Sequence, residues 1–133
     1  MRKSILIVED ELRIRFLLRD YLIKDNFNVF EASNGQEGLL MISSHKIDLV
    51  LLDIMMPVMD GLTMLEKLRE VSTVPVILLT AKGEEEDKLQ GYDYGADDYI
   101  TKPFSPKVLM AKVKALLKRT RNDIDSSYQE FNG

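Results

Sequence analysis

Three short stretches of this chain are apolar at every position: Ile5-Leu6-Ile7-Val8, Leu49-Val50-Leu51-Leu52 and Val76-Ile77-Leu78-Leu79. A strand with one wet face alternates apolar and polar side chains. An unbroken run belongs instead to a strand covered on both faces, as in a parallel sheet between helices. The intervening segments have the helical period that such a sheet needs. Ile14, Leu17, Leu18, Tyr21 and Leu22 fall on one face of a helix from about residue 11 to 24. Leu62, Leu65 and Leu68 mark another helix, and Leu109, Val113, Leu116 and Leu117 the last. A helix at about residues 84 to 94 has a thin apolar face, chiefly Leu89 and Tyr92, with Gly91 inside it and Gly83 at its start. Val29-Phe30-Glu31-Ala32, which holds a charge, and the short Tyr99-Ile100-Thr101 read as edge strands. The repeating unit is strand then helix, five times over.

With right-handed crossovers and the three apolar strands central, the simplest arrangement is a doubly wound (βα)5 α/β sheet of order 2-1-3-4-5, the flavodoxin-like order. A site in such a sheet lies beyond the carboxyl ends of the strands, where strands 1 and 3 diverge. The 133 residues suffice for one domain with a real core. Residues 1–120 are expected to form it, and 121–133, polar and without a periodic apolar face, to be a frayed helix end and linker. The chain has no cysteine, which excludes disulfides and thiolate metal sites. Its single histidine, His45, reads as a solvated residue at a helix end. No segment approaches the ~20 apolar residues of a membrane span, and the net charge of −4 argues against nucleic-acid binding by this part. A soluble, cytoplasmic domain is the expectation.

Carboxylates gather where that topology puts a site. The first strand ends in Glu9-Asp10-Glu11 and the third in Asp53. Glu11 fits a helix-capping role. Asp10 and Asp53 together do not, because like charges a few ångströms apart repel and call for a cation. A set of oxygens without nitrogen or sulfur suits Mg²⁺, for which Mn²⁺ can substitute. Lys102, just after the fifth strand, supplies a further positive charge on the same rim. Glu9, Asp10 and Asp53 are then balanced by a divalent cation and the lysine together. An aspartate in such a pocket can act as a nucleophile toward phosphorus. On spacing alone, Lys102 reads equally well as a solvated surface lysine. Thr80 reads either as a hydroxyl aimed at the pocket or as an ordinary strand residue. Pro57-Val58-Met59-Asp60-Gly61 reads as a turn leading into a helix, and Lys102-Pro103 as a candidate cis bond.

In order, the motifs are Ile7-Val8-Glu9-Asp10-Glu11, Leu51-Leu52-Asp53-Ile54-Met55-Met56-Pro57-Val58-Met59-Asp60-Gly61, Leu79-Thr80-Ala81 and Gly95-Ala96-Asp97-Asp98-Tyr99-Ile100-Thr101-Lys102-Pro103-Phe104. Together they resemble the receiver domain of two-component response regulators, over roughly residues 3 to 120. The resemblance implies a phosphoacceptor signalling domain rather than an enzyme, taking a phosphoryl group from a sensor histidine kinase onto Asp53. It implies Mg²⁺ ligation by Asp10, Asp53 and the Met55 backbone carbonyl, with Glu9 acting directly or through water, and phosphoryl contacts from Lys102 and Thr80. Thr80 and Tyr99 become the switch pair. Many members have Asp where this chain has Glu9. Arg13, Ile14, Leu17 and Asp20 on the first helix are implied in kinase choice.

The Asp97-Asp98-Tyr99 run and the basic last helix resemble the subfamily whose receivers precede a winged-helix DNA-binding domain, for which residues 120 to 133 leave no room. That likeness implies a homodimer of the phosphorylated form, with DNA bound only through an effector domain absent from this chain. The dimer face would include Lys88, Asp97, Asp98 and Lys112, with Asp97 or Asp98 meeting Lys112 across the axis. An acidic strip (Glu84, Glu85, Glu86, Asp87, Asp93, Asp97, Asp98) beside a basic one (Lys107, Lys112, Lys114, Lys118, Arg119) suits a two-fold contact. The subfamily commonly has an acid where this chain has Val108, so the cross-pair of Lys88 is expected to be missing. Two rival readings fit less well. A flavin protein would need a phosphate loop where Glu9-Asp10-Glu11 stands, and an aspartyl phosphatase would place an acid where Met55 stands.

Overall fold

The computed structural model describes residues 2–56, 58–81 and 85–132, with side chains through 119 apart from those of 85–88. Pro57, Gly83 and Glu84 therefore lie outside the described residues, as do the side chains of Glu85, Glu86, Asp87 and Lys88. Strands β1 (Ser4–Val8), β2 (Asn28–Ala32), β3 (Leu49–Asp53), β4 (Val76–Ala81) and β5 (Asp98–Lys102) alternate with helices α1 (Leu12–Lys24), α2 (Gly35–Ser44), α3 (Gly61–Arg69), α4 (Glu85–Asp93) and α5 (Pro106–Asn132). The strands form one parallel sheet in the order β2-β1-β3-β4-β5, as the apolar runs predict.

Strand geometry sorts the core into two layers, because alternate side chains point to opposite faces. Ile5, Ile7, Leu49, Leu51, Ile77, Leu79 and Ile100 pack with Leu18 and Leu22 of α1 and with Leu109, Val113 and Leu116 of α5. Leu6, Val8, Val50, Leu52, Val76 and Leu78 pack with Met64, Leu65 and Leu68 of α3 on the other face. Each apolar run thus feeds both layers, which is why it cannot alternate.

Several helical details differ from the periodic reading. Leu17 and Tyr21 of α1 remain exposed, since the helix meets the sheet along the narrower stripe of Leu18 and Leu22. Ile14, by contrast, is half-buried against the core, as its place in the helical period predicts, and is not one of the fully exposed residues of that helix. On α4, Leu89 and Tyr92 are exposed and Gly91 is buried. The glycine lets the helix backbone approach Leu78, whose side chain would collide with any added Cβ. Helix α5 runs on through the stretch whose composition read as linker, where neither proline nor glycine occurs before Gly133 to stop it. Glu11 holds the N-cap position of α1 but makes no side-chain cap bond. Asn34 and Asp60 do cap, accepting from Glu37 N at 2.9 Å and Thr63 N at 2.8 Å. His45 sits exposed at the end of α2, its ring 4.6 Å from that of Phe30. The Lys102–Pro103 bond is cis. Among the described residues no helix is long and apolar enough to cross a membrane.

Gly61 starts α3 under the end of β3, where an added Cβ would meet the Asp53 carbonyl and lie 2.7 Å from Ile54 Cα. Backbone cannot move aside as a side chain can. Gly61→Ala is expected to cost about 1–3 kcal/mol through overpacking. Gly91→Ala should cost less, because Leu78 can rotate and alanine favours helix by about 1 kcal/mol over glycine. Urea denaturation of the two variants tests the ranking, and a smaller loss at Gly61 contradicts it.

Candidate functional site

The site is built at the carboxyl ends of β1, β3, β4 and β5. Val8 pairs with Leu52, so the next residues, Glu9 and Asp53, emerge side by side. Asp53 pairs with Leu79, and Ala81 with Lys102, so Thr80 and Lys102 arrive on the same rim. Residues 22 to 93 positions apart in the chain are brought together by the sheet register.

Glu9 and Asp53 are buried, while Asp10 is exposed at the mouth. Ligand oxygens of all three lie within 4.8 Å of one another. Lys102 Nζ bridges the buried pair, 3.3 Å from Glu9 Oε1 and 3.3 Å from Asp53 Oδ1. The backbone N–H of Met55 donates to Asp53 Oδ1 at 3.3 Å, which turns the Met55 peptide toward the pocket while its side chain is exposed. Thr80 is buried and its hydroxyl donates to the Ile100 carbonyl at 3.4 Å. The solvated-lysine reading of Lys102 is thereby excluded.

Burial pushes the Glu9 carboxyl up to about 8, helped by the hydrogen bond and the charge of Asp53; Lys102 opposes the shift and is outweighed. Three converging carboxylates with oxygen donors only are what a hard divalent cation requires. Such an ion would let Glu9 ionise at neutral pH.

Tyr99 pairs with Leu78, which puts its side chain on the same sheet face as Thr80, one diagonal away. Its ring packs edge-on to Tyr92 at 5.8 Å, with Lys112 Nζ 5.6 Å from the ring centre. The acids expected on a dimer face have partners within the chain. Asp98 meets Lys112 at 3.1 Å. Asp97 Oδ2 accepts from Val76 N at 2.8 Å and from Arg69 at 3.2 Å, and Oδ1 lies 3.6 Å from Arg119. Lys114 turns away from that face and pairs with Asp25 at the end of α1 at 2.7 Å. The basic strip of α5 therefore divides, because Lys112 and Arg119 lie seven residues apart on one helix face and Lys114 on another.

Sequence reasoning missed two arginines. Arg69 donates to the carbonyls of Gly95 at 2.9 Å and Val74 at 2.7 Å, tying the loops before β4 and β5 together. Arg15 donates to the Glu9 carbonyl at 2.9 Å and to Glu31 at 3.1 Å. The signal for Arg15 was Glu31, a charge inside a strand that required a partner.

This fold with this acid pocket is that of a receiver-type signalling domain. The chain belongs to the response regulator receiver domain family, which it matches over residues 5–114. It is similar to the transcriptional regulatory protein SrrA of Staphylococcus aureus, 51% identical over 122 residues that cover 92% of this chain and 51% of that protein. The chain thus spans about half the length of the curated relatives it matches. Among solved structures it resembles the receiver domain of the TMAO respiratory system response regulator TorR, with 38% identity and a TM-score of 0.84 over 88% of this chain and 98% of the other. It also resembles a CheY-like receiver domain protein from Methanospirillum hungatei JF-1, with 31% identity and a TM-score of 0.87 over 92% and 99%.

The folded protein holds a proton on Glu9 up to about 8 that an unfolded chain releases near 4.5. That contribution to stability is complete below 4.5 and is lost as pH rises through 8. In chelator, unfolding free energy should fall across this window, and Glu9→Gln should flatten the decline. Urea melts from low to high pH check the sign, and an equal decline in the variant refutes it.

Proposed function

We propose that Asp53 accepts a phosphoryl group from the phosphohistidine of a sensor histidine kinase, and that the modified domain switches an output. The observation that carries this reading is Lys102 Nζ held 3.3 Å from both buried carboxylates. An Asp53 oxygen attacks phosphorus in line, the phosphorus–nitrogen bond breaks, and the pair of electrons leaves with the imidazole. Lys102 then exchanges its contact with Asp53 for a phosphoryl oxygen, and the Thr80 hydroxyl leaves the Ile100 carbonyl to donate to another. Mg²⁺ or Mn²⁺, held by Asp10, Asp53, Glu9 and the Met55 carbonyl, would neutralise charge on the transferring group. The chain's own residues supply the in-line approach and the cradle.

The output begins with Thr80. Movement of its hydroxyl opens space on the sheet face that Tyr99 shares, and the ring follows inward, away from Tyr92. Helix α4 is held lightly, with Leu89 and Tyr92 exposed, so its displacement is inexpensive. Lys88, Asp97, Asp98 and Lys112 then form a face for a second copy, with Asp98 and Lys112 exchanging their in-chain pairing for one across the axis. Exposed pairs contribute only ~0–1 kcal/mol each, so this exchange is nearly neutral and the dimer is weak. In a protein of the length of SrrA, the output is control of transcription by the remaining half.

Incubation with acetyl phosphate and Mg²⁺ should add one phosphoryl group by intact mass. The addition should vanish in Asp53→Asn and in chelator, and Thr80→Ala should keep it while losing the Tyr99 response. Undiminished labelling of Asp53→Asn sinks the assignment. Equilibrium sedimentation with a phosphoryl mimic should show a dimer that weakens as salt rises; monomer alone at low salt ends the dimer reading.

A further inference from the structure

We propose that Arg15 is a positioning residue for the divalent cation of this pocket, acting through the backbone of Glu9. The inference rests on the metal-binding reading given above. When both are ionised, as a bound cation requires, Glu9 and Asp53 repel each other, and the turn that holds Glu9 and Asp10 has no side-chain cap at Glu11 to fix it. What fixes that turn is a set of ties on either side. Glu9 N donates to Ala32 O at 3.1 Å, which continues the strand ladder by one residue. Arg15 Nη1 donates to Glu9 O at 2.9 Å, and Arg15 N donates to Glu11 O at 3.0 Å. One residue therefore grips the acidic turn at its first and last carbonyls.

The grip is anchored. Arg15 Nε donates to Glu31 Oε1 at 3.1 Å, and Arg19 lies 3.9 Å from the other Glu31 oxygen. The Arg15 side chain is only 14% exposed, so this pair is screened less than a surface pair. Glu31 itself is fixed by register, directly opposite Ile7 in β1. Two strands and one helix thus hold a single guanidinium whose remaining arm sets the Glu9 carbonyl. The fork geometry matters, because a lysine donates from one nitrogen and lacks the rigid, separated donors that reach the Glu9 carbonyl and Glu31 in fixed directions. Glu31 neutralises the charge of Arg15, so its effect on the cation is through orientation of Glu9 and Asp10. Groups that orient metal ligands from behind typically change affinity by ~10–100-fold when removed.

Mn²⁺ titration followed by the paramagnetic resonance of the free ion tests this without any reaction. Arg15→Met is expected to weaken Mn²⁺ binding by at least ~10-fold, with Arg15→Lys in between. In acetyl phosphate labelling, the Mg²⁺ needed for half-maximal rate should rise by a similar factor while the rate at saturating Mg²⁺ stays unchanged. Arg69→Met is the control, the same change at an arginine remote from the pocket; it should lose stability without losing Mn²⁺. Unchanged Mn²⁺ affinity in Arg15→Met overturns the inference, and so does an equal loss in Arg69→Met. If Arg15→Met does not fold, Glu31→Met, which keeps the guanidinium and removes its anchor, decides in the same way. Failure of the unaltered protein to bind Mn²⁺ overturns the metal-binding reading as well, so the two are told apart.

Discussion

Two carboxylates buried against each other, with one ammonium between them, are the contact on which the rest of this molecule turns. Were both ionised, Glu9 and Asp53 would repel each other, and burial together with that repulsion keeps a proton on Glu9 up to about 8. They stay together because β1 and β3 are clamped in register through fully buried apolar rows, which a local repulsion cannot slide. Sliding by one residue would turn every core side chain to the opposite face. The sheet therefore holds the two carboxyls side by side whatever their charge, and positive charge brought there favours their ionised forms. Lys102 does so in part, and a divalent cation would do so further.

The period of the strands divides the tasks. Glu9, Asp53 and Lys102 follow the side-chain rows that face α1 and α5, whereas Thr80 and Tyr99 follow those that face α3 and α4. In the proposed function, chemistry on one side of the sheet would be read out on the other through Thr80 at the end of β4. On that second side α4 lies close against Leu78 through Gly91, where an added Cβ would collide with the leucine. A helix seated on a glycine would give up little apolar side-chain surface if displaced.

Ion pairs at the far side of α5 show how little of this surface is committed. Asp98 and Lys112 satisfy each other within the chain, and Asp97 is held mainly by Arg69 and the Val76 amide. An interface that reused Asp98 and Lys112 would replace like with like. Asp97 is different: releasing it would free a backbone amide and an arginine that tie two loops, so it serves the fold before it serves any partner.

Strand number, order and the location of the pocket were legible in the sequence, because three continuous apolar runs suit central strands covered on both faces and two weaker stretches suit the edges. The convergence of Glu9, Asp10 and Asp53 followed from that order, since a parallel sheet presents all its carboxyl ends on one rim. The role of Lys102 was not decided by its spacing; only the fold, by bringing Nζ between two acids 93 and 49 residues away, separated it from a surface lysine. Arg15, the in-chain partners of Asp97 and Asp98, and the division of the basic helix were likewise set by tertiary structure. Each depends on which side of a helix meets which neighbour, and a 3.6-residue period states that a face exists without saying what lies opposite. The exposed Leu89 and Tyr92 make the same point: their spacing promised a buried face, and the close approach permitted by Gly91 put the helix down on a different one.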